Sequence, residues 1–188
     1  MIDVSLNAFK KARLWINQLP DAEFEYLRAI QKNVQSSHEK VICNNEAAIE
    51  LLINRGAKSE YGLIGAKFFN NGSDTILKVN ISDQSNTDFH NSLANSIDTV
   101  KRGLPLEFAE IVAEELFKCS NILPSGILTV SHAAHGIVNS NANIFRCCTK
   151  ILIRLLCEKD ISEAYFRQIL EQSIAEYEAF LREKQSNR

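Results

Sequence analysis

His132 and His135, in Ser131-His132-Ala133-Ala134-His135-Gly136, form the most chemically suggestive spacing in the chain. Two imidazoles can hold a metal, pass a proton to a nucleophile, or hydrogen-bond a phosphate or a partner. A zinc site needs four convergent ligands. This is the only close histidine pair, and Cys43, Cys119, Cys147, Cys148 and Cys157 show no CxxC spacing, so no metal is expected. If the segment is extended, residues three apart point to opposite faces, which works against a shared metal and against catalysis. The remaining readings for the pair are contact with RNA or a partner, and structure alone. Glu114 and Glu115 are neighbours on a helix and diverge, so they make no acid–base pair. With no organised nucleophile and base, neither an enzyme nor a cofactor is expected.

Other polar residues suit binding. Lys58, Lys101 and Arg102 flank loop ends, where a cation can hold a phosphate or simply solubilise the surface. Asn139, Asn141 and Asn143 beside Ser140 fit helix capping and could also bond a ligand from a loop. Tyr61, Phe68 and Phe69 sit in an apolar run and read as core.

These groups must be positioned by an α+β scaffold. Leu6, Phe9, Ile16 and Leu19 predict a helix over 5–19, and Phe24, Leu27, Ile30 and Val34 a second over 21–34 after Pro20. Trp15 would pack this helical hairpin onto the body. A short strand is expected at 41–43, then a helix from Asn44 or Asn45 to Arg55 stopped by Gly56. Strands at 61–69 and 75–81 around Asn70-Asn71-Gly72-Ser73 predict a β-hairpin. A polar loop follows at 82–87. Residues 88–100 suit a helix or, at their end, a strand. Pro105 opens a helix to about 119, with Phe108, Val112 and Leu116 in line. A strand starts at Ile127 and can continue past Ala134 to Val138. Helices are expected over 141–158 and 161–184, the latter with Asp160 and Glu163 as a capping box, before a frayed tail from Gln185. The fold class is a small mixed sheet packed by helices.

Composition excludes several classes of function. The 188 residues carry 21 Lys+Arg against 23 Asp+Glu, spread evenly, so nonspecific duplex binding driven by phosphate neutralisation is disfavoured. At 45% hydrophobic residues the chain can bury a core. No apolar run is long enough to span a membrane. Asp3, Lys10, Lys11 and Arg13 make the first 20 residues unlike a signal peptide, and the odd cysteine count fits a reduced cytoplasmic setting.

Residues from about 58 to 156 resemble domain IV of elongation factor G and its ribosomal-protection relatives. Four segments carry the likeness: Lys58-Ser59-Glu60-Tyr61-Gly62, Asp98 to Phe108 through Gly103-Leu104-Pro105, the helix Ala109 to Leu116, and Val138-Asn139-Ser140-Asn141-Ala142-Asn143-Ile144-Phe145. The resemblance implies a split β-α-β sandwich of the ribosomal-protein type at 58–158, with an N-terminal helical extension at 1–57 and a C-terminal helix at 159–188. It also implies two tip loops, near Gly56–Gly62 and Ala134–Asn141, that meet the ribosome or structured RNA. Lys58, Glu60, Tyr61, His132, His135, Asn139 and Asn141 are the RNA- or partner-contacting residues on this basis. Glu60 replaces the family's glutamine, Gly136 falls where its tip histidine stands, and no G-x-x-x-x-G-K-[ST] segment is present, so no nucleotide is expected. The alternative is the same fold kept as a scaffold, with the added helices forming a protein partner or homodimer surface.

Overall fold

The computed structural model describes residues 1–35, 42–71, 74–82, 87–94 and 96–186, without the side chains of residues 184 and 185. Expectations for the loop past Gln35, for Val41, for the Gly72-Ser73 turn, for the middle of the 82–87 loop and for the last two residues of the tail lie outside these residues.

Among the described residues eight strands form one sheet: β1 (Ile2–Asn7), β2 (Lys10–Ile16), β3 (Tyr26–Val34), β4 (Glu46–Arg55), β5 (Lys58–Phe69), β6 (Thr75–Ser82), β7 (Val100–Arg102) and β8 (Gly126–Gly136). Their order is β1-β2-β4-β5-β8-β6-β3, with β7 paired to the end of β8. Helices α1 (Leu106–Lys118), α2 (Ala142–Cys157) and α3 (Glu163–Ser186) complete the α+β fold. Helix α1 packs on β6 and β3, α2 on β4 and β5, and α3 on α2 and β1. Phe108 of α1 stacks on Phe145 of α2 at 4.7 Å between ring centroids in the core between helices and sheet. None of the helices is long and apolar enough to cross a membrane, among the described residues.

The two expected N-terminal helices are strands. Ala12, Leu14 and Ile16 pack on the main core, and between them stand Arg13 and Trp15, which is the period of two that a strand imposes. Two residues that supported the helical spacing are surface residues: Phe9, in the β1–β2 turn, is 59% exposed, and Leu27, at a register shift in β3, is 75% exposed. Trp15 is buried on the opposite sheet face rather than inside a helical hairpin.

The expected helix at 44–55 is also a strand. Ala47, Ile49, Leu51 and Ile53 face the main core, while Ala48 and Leu52 face a second, smaller cluster. A strand covered on both faces reads as a continuous apolar run, which spacing alone does not separate from a helix. Gly56 does not stop a helix. It has φ 60 in the first central position of the two-residue turn joining Arg55 to Lys58, which suits a type II′ hairpin.

The two strands expected as a hairpin exist but do not pair. Strand β8 lies between them, antiparallel to β5 and parallel to β6. Strand β8 runs to Gly136, short of Val138. The 88–100 stretch is neither a helix nor a long strand. It crosses the second sheet face as a strap, with Phe89 and Ala94 buried, and ends in β7. Helices α1 and α2 match the expected spans closely. In α3 the N-terminal hydrogen bond goes to the Ser162 hydroxyl from the Tyr165 N–H, so Ser162 takes the capping role assigned to Asp160.

Gly126 opens β8 at φ 156, and a Cβ there would lie 2.3 Å from Phe68 Cζ and 2.7 Å from the Phe69 carbonyl oxygen. The backbone atom cannot step aside. Gly126→Ala is expected to lower stability by at least about 2 kcal/mol, read from the urea midpoint. A midpoint within experimental error of the native protein would contradict this packing.

Candidate partner-binding tip

The two loops singled out by the resemblance meet at one end of the sheet. The β4–β5 turn presents Ala57 and Lys58, both exposed. The β8–α2 connection, residues 137–141, folds beside it. Tyr61 donates its backbone N–H to the Asn139 carbonyl at 2.9 Å and accepts from the Ser140 hydroxyl at 2.7 Å. The Ser140 Oγ in turn accepts from the Gly136 N–H at 2.8 Å. Asn141 caps α2 by accepting from the N–H groups of Asn143 and Ile144, and its Nδ2 donates to Glu60 Oε1 at 3.1 Å. Glu60 is also held by Arg55 at 2.5 Å.

The strap supplies the remaining anchors. Asp98 Oδ2 accepts from the N–H groups of Val138, at 3.1 Å, and Asn139, at 2.9 Å. The Ile137 N–H donates to the Thr99 carbonyl at 3.0 Å. The backbone of 136–141 is thus fixed from two other segments, β5 and the strap, and by its own Ser140 hydroxyl. On this fixed loop Ile137 is 62% and Val138 79% exposed, and Ile97, next to Asp98, is 49% exposed. Apolar side chains are thus held out to water on a well-bonded loop.

The cations near the tip are mostly engaged. Arg55 pairs with Glu60 and lies 4.8 Å from the Tyr177 ring centroid. Lys101 pairs with Asp88 and Arg102 with Asp21. Lys58 stands exposed on its turn. The surface is apolar and mixed in charge rather than basic.

The seven expected contact residues therefore separate into groups. Lys58, Glu60, Asn139 and Asn141 gather at the tip. Tyr61 is fully buried; its hydroxyl donates to Glu50 Oε1 at 2.9 Å, and it serves the tip only through its backbone. His132 is 5% exposed, with Nδ1 3.0 Å from the Ser131 hydroxyl, at the bulge where Gly65 faces His132 and Ala66 faces Val130. His135 lies on the helix side, edge-on to Phe108, and donates Nδ1–H to the Gly103 carbonyl at 3.0 Å. The two imidazoles do not share a site. Among the aromatics, Tyr61 and Phe68 are core as expected, but Phe69 is 69% exposed.

Burial holds both imidazoles below the usual histidine range. Glu23 partly offsets this at His132, and the Gly103 carbonyl at His135. A histidine whose folded pKa is depressed stabilises the fold above its unfolded value, near 6.5, and that stability is lost as pH falls below it. Stability should therefore drop as pH falls through and below about 6.5, and both rings should titrate below 6.5 by NMR. Titration of either ring above its ordinary value would contradict the burial seen here.

Sequence reasoning placed Ile137 and Val138 in the second tip loop and Asp98 at the start of a matched segment but gave none of them a role, and it missed Glu50. Two adjacent apolar residues between Gly136 and the Asn139-Ser140-Asn141 capping stretch were a readable sign of an exposed apolar loop. Glu50, lone in an apolar run, was a sign of a buried carboxylate. Buried Cys147 and Cys148 have thiols pushed upward by burial, Cys147 to about 12, which makes them poor nucleophiles. Among the described residues no group of three or more His, Cys, Asp or Glu comes together. Comparison with family models, curated proteins and solved structures finds no match to this chain.

Proposed function

We propose that the chain is a non-catalytic binding protein that docks a protein partner through this tip. The observation that carries the reading is the pair Ile137 and Val138, exposed on a loop whose backbone is fixed by Asp98, Thr99, Tyr61 and Ser140. A fixed loop loses little conformational freedom on docking, so apolar area buried there is converted efficiently into affinity. A second copy of the chain is one such partner, and light scattering of the purified protein detects it.

A second reading is docking on the ribosome or another structured RNA. Two observations favour it: the tip loops implied by the elongation factor G resemblance converge, and β6, β7, α1, β8 and α2 come in that order with β6 and β8 parallel. The engaged cations weigh against it. Co-sedimentation with ribosomes and with isolated ribosomal RNA across a salt series separates the two. Contact with RNA falls steeply with salt and weakens in Lys58→Ala. Apolar docking on a protein component tolerates salt and is lost in Val138→Asp.

A further inference from the structure

A cavity of about 350 Å³, its lining more apolar than polar, opens between α1, α2 and α3, away from the tip loops. Its size falls in the range of small-molecule sites. One wall carries Lys118, Arg146 and Lys150, gathered around the buried carboxylate of Glu115. Arg146 Nε is 3.4 Å from that carboxylate, and the two lysine nitrogens are 3.9 Å from it. Lysine offers three donors and arginine five. Lys118 is also held by Glu114 at 2.5 Å, and Arg146 by Asn143 at 3.2 Å and Glu114 at 3.8 Å. The Glu176 carboxylate on the cavity lining pairs with Arg154 at 3.8 Å. Lys150, 3.9 Å from Glu115, is therefore the cation with most donors left for another acceptor.

The opposite wall is α3. Ser173 is 3% exposed and lines the cavity, and its Oγ is buried with no hydrogen-bond partner. A buried hydroxyl left unpaired costs about 1–3 kcal/mol. A ligand oxygen at this position would recover that cost. The rings of Tyr177 and Phe180 supply an apolar side, and Arg146 lies 5.6 Å from the Phe180 ring centroid.

We propose that this cavity binds a small organic anion, a carboxylate or phosphate monoester with an apolar body. The anionic oxygens would sit between Arg146, Lys150 and the Ser173 hydroxyl, with the body against Tyr177 and Phe180. The site is separate from the tip and does not rest on the docking reading.

Phenyl phosphate and benzoate are the probes, with inorganic phosphate as the bodiless control, titrated into the full chain and followed by amide NMR. Saturable shifts confined to residues 146–150 and 173–180 are expected for at least one organic probe, with weaker binding of inorganic phosphate. Ser173→Ala should weaken binding several-fold and Lys150→Ala about tenfold, the size of one charge-assisted hydrogen bond. Lys150 is 42% exposed and loosely paired, so its loss leaves the fold intact, whereas Arg146→Ala also disturbs Glu115. Absence of saturable shifts up to about 10 mM, above the range of useful small-ligand affinities, would overturn the proposal. So would affinity unchanged in both variants. Inorganic phosphate binding as tightly as phenyl phosphate would overturn the apolar body.

Discussion

Replacing Glu50 with alanine is expected to cost about 3 kcal/mol of folding stability, because a buried hydroxyl and a half-buried N–H would lose their acceptor at once. Glu50 is fully buried on the second sheet face. Its Oε1 accepts from the Tyr61 hydroxyl and from the Leu93 N–H, both at 2.9 Å, and its Oε2 pairs with Arg13 at 3.1 Å. Arg13 also holds Asp3 and the Asn91 carbonyl. The carboxylate therefore ties β2, β4 and β5 to the strap, and the strap ends in the Asp98 that anchors the tip. Urea denaturation measures the loss, and hydrogen exchange should show residues 87–99 opening first. A loss under about 0.5 kcal/mol, the range of ordinary surface changes, would contradict the role given to Glu50.

The same group has a pH signature. Burial pushes its carboxyl above the ordinary 4.5, with the Leu93 N–H, Arg13 and Tyr61 pulling the other way. The folded protein then holds this proton more readily than the unfolded chain. The contribution of Glu50 is therefore greatest below 4.5 and is lost as pH rises through the raised value. Glu50→Gln keeps an acceptor for Tyr61 and Leu93 and removes this dependence. Its stability relative to the native protein should improve as pH rises through that window.

The second large effect concerns binding. Changing Ile137 and Val138 to aspartate is expected to weaken partner binding at least about 100-fold, as loss of a central apolar contact does. Both side chains point to water in the free protein, so the urea midpoint should move by less than about 0.5 kcal/mol. Binding unchanged in the double variant would remove the tip from the interface. Loss of binding together with loss of fold would show instead that these residues support the core.

How far the fold could be read from the chain depended on whether a segment keeps a period. Helices α1 and α2 announce themselves through one-sided stripes, although the cap of α2 is Asn141 rather than the Asn139 or Ser140 that the pattern suggested. Strands β5, β6 and β8 carry enough β-branched and aromatic residues to be placed. Strand β4 hides because both its faces are covered, and β1 to β3 because short strands with accidental i+3 and i+4 apolar residues imitate amphipathic helices. Pairing was less legible still. The Asn70-Asn71 turn suggested a hairpin, yet β8, some fifty residues later, inserts between the two strands. Nothing local in either strand encodes that insertion.

The tip was half legible. Asn141 and Glu60 were found by motif and do meet. Asp98 opens a matched segment but was given no role, because its importance arises only when the strap brings it to an amide forty residues away. The histidines drew attention through residue type, and the pleat of an extended strand puts residues three apart on opposite sides of the sheet, as the spacing implied.

Site-specific photo-cross-linking in cells tests the docking tip most directly. A benzophenone side chain at Val138 is compared with the same group at Phe9, an exposed apolar position in the β1–β2 turn. A discrete protein adduct at Val138, absent at Phe9 and abolished by Ile137→Asp, is the predicted result. No adduct at Val138, or the same adducts from both positions, would contradict docking through the tip.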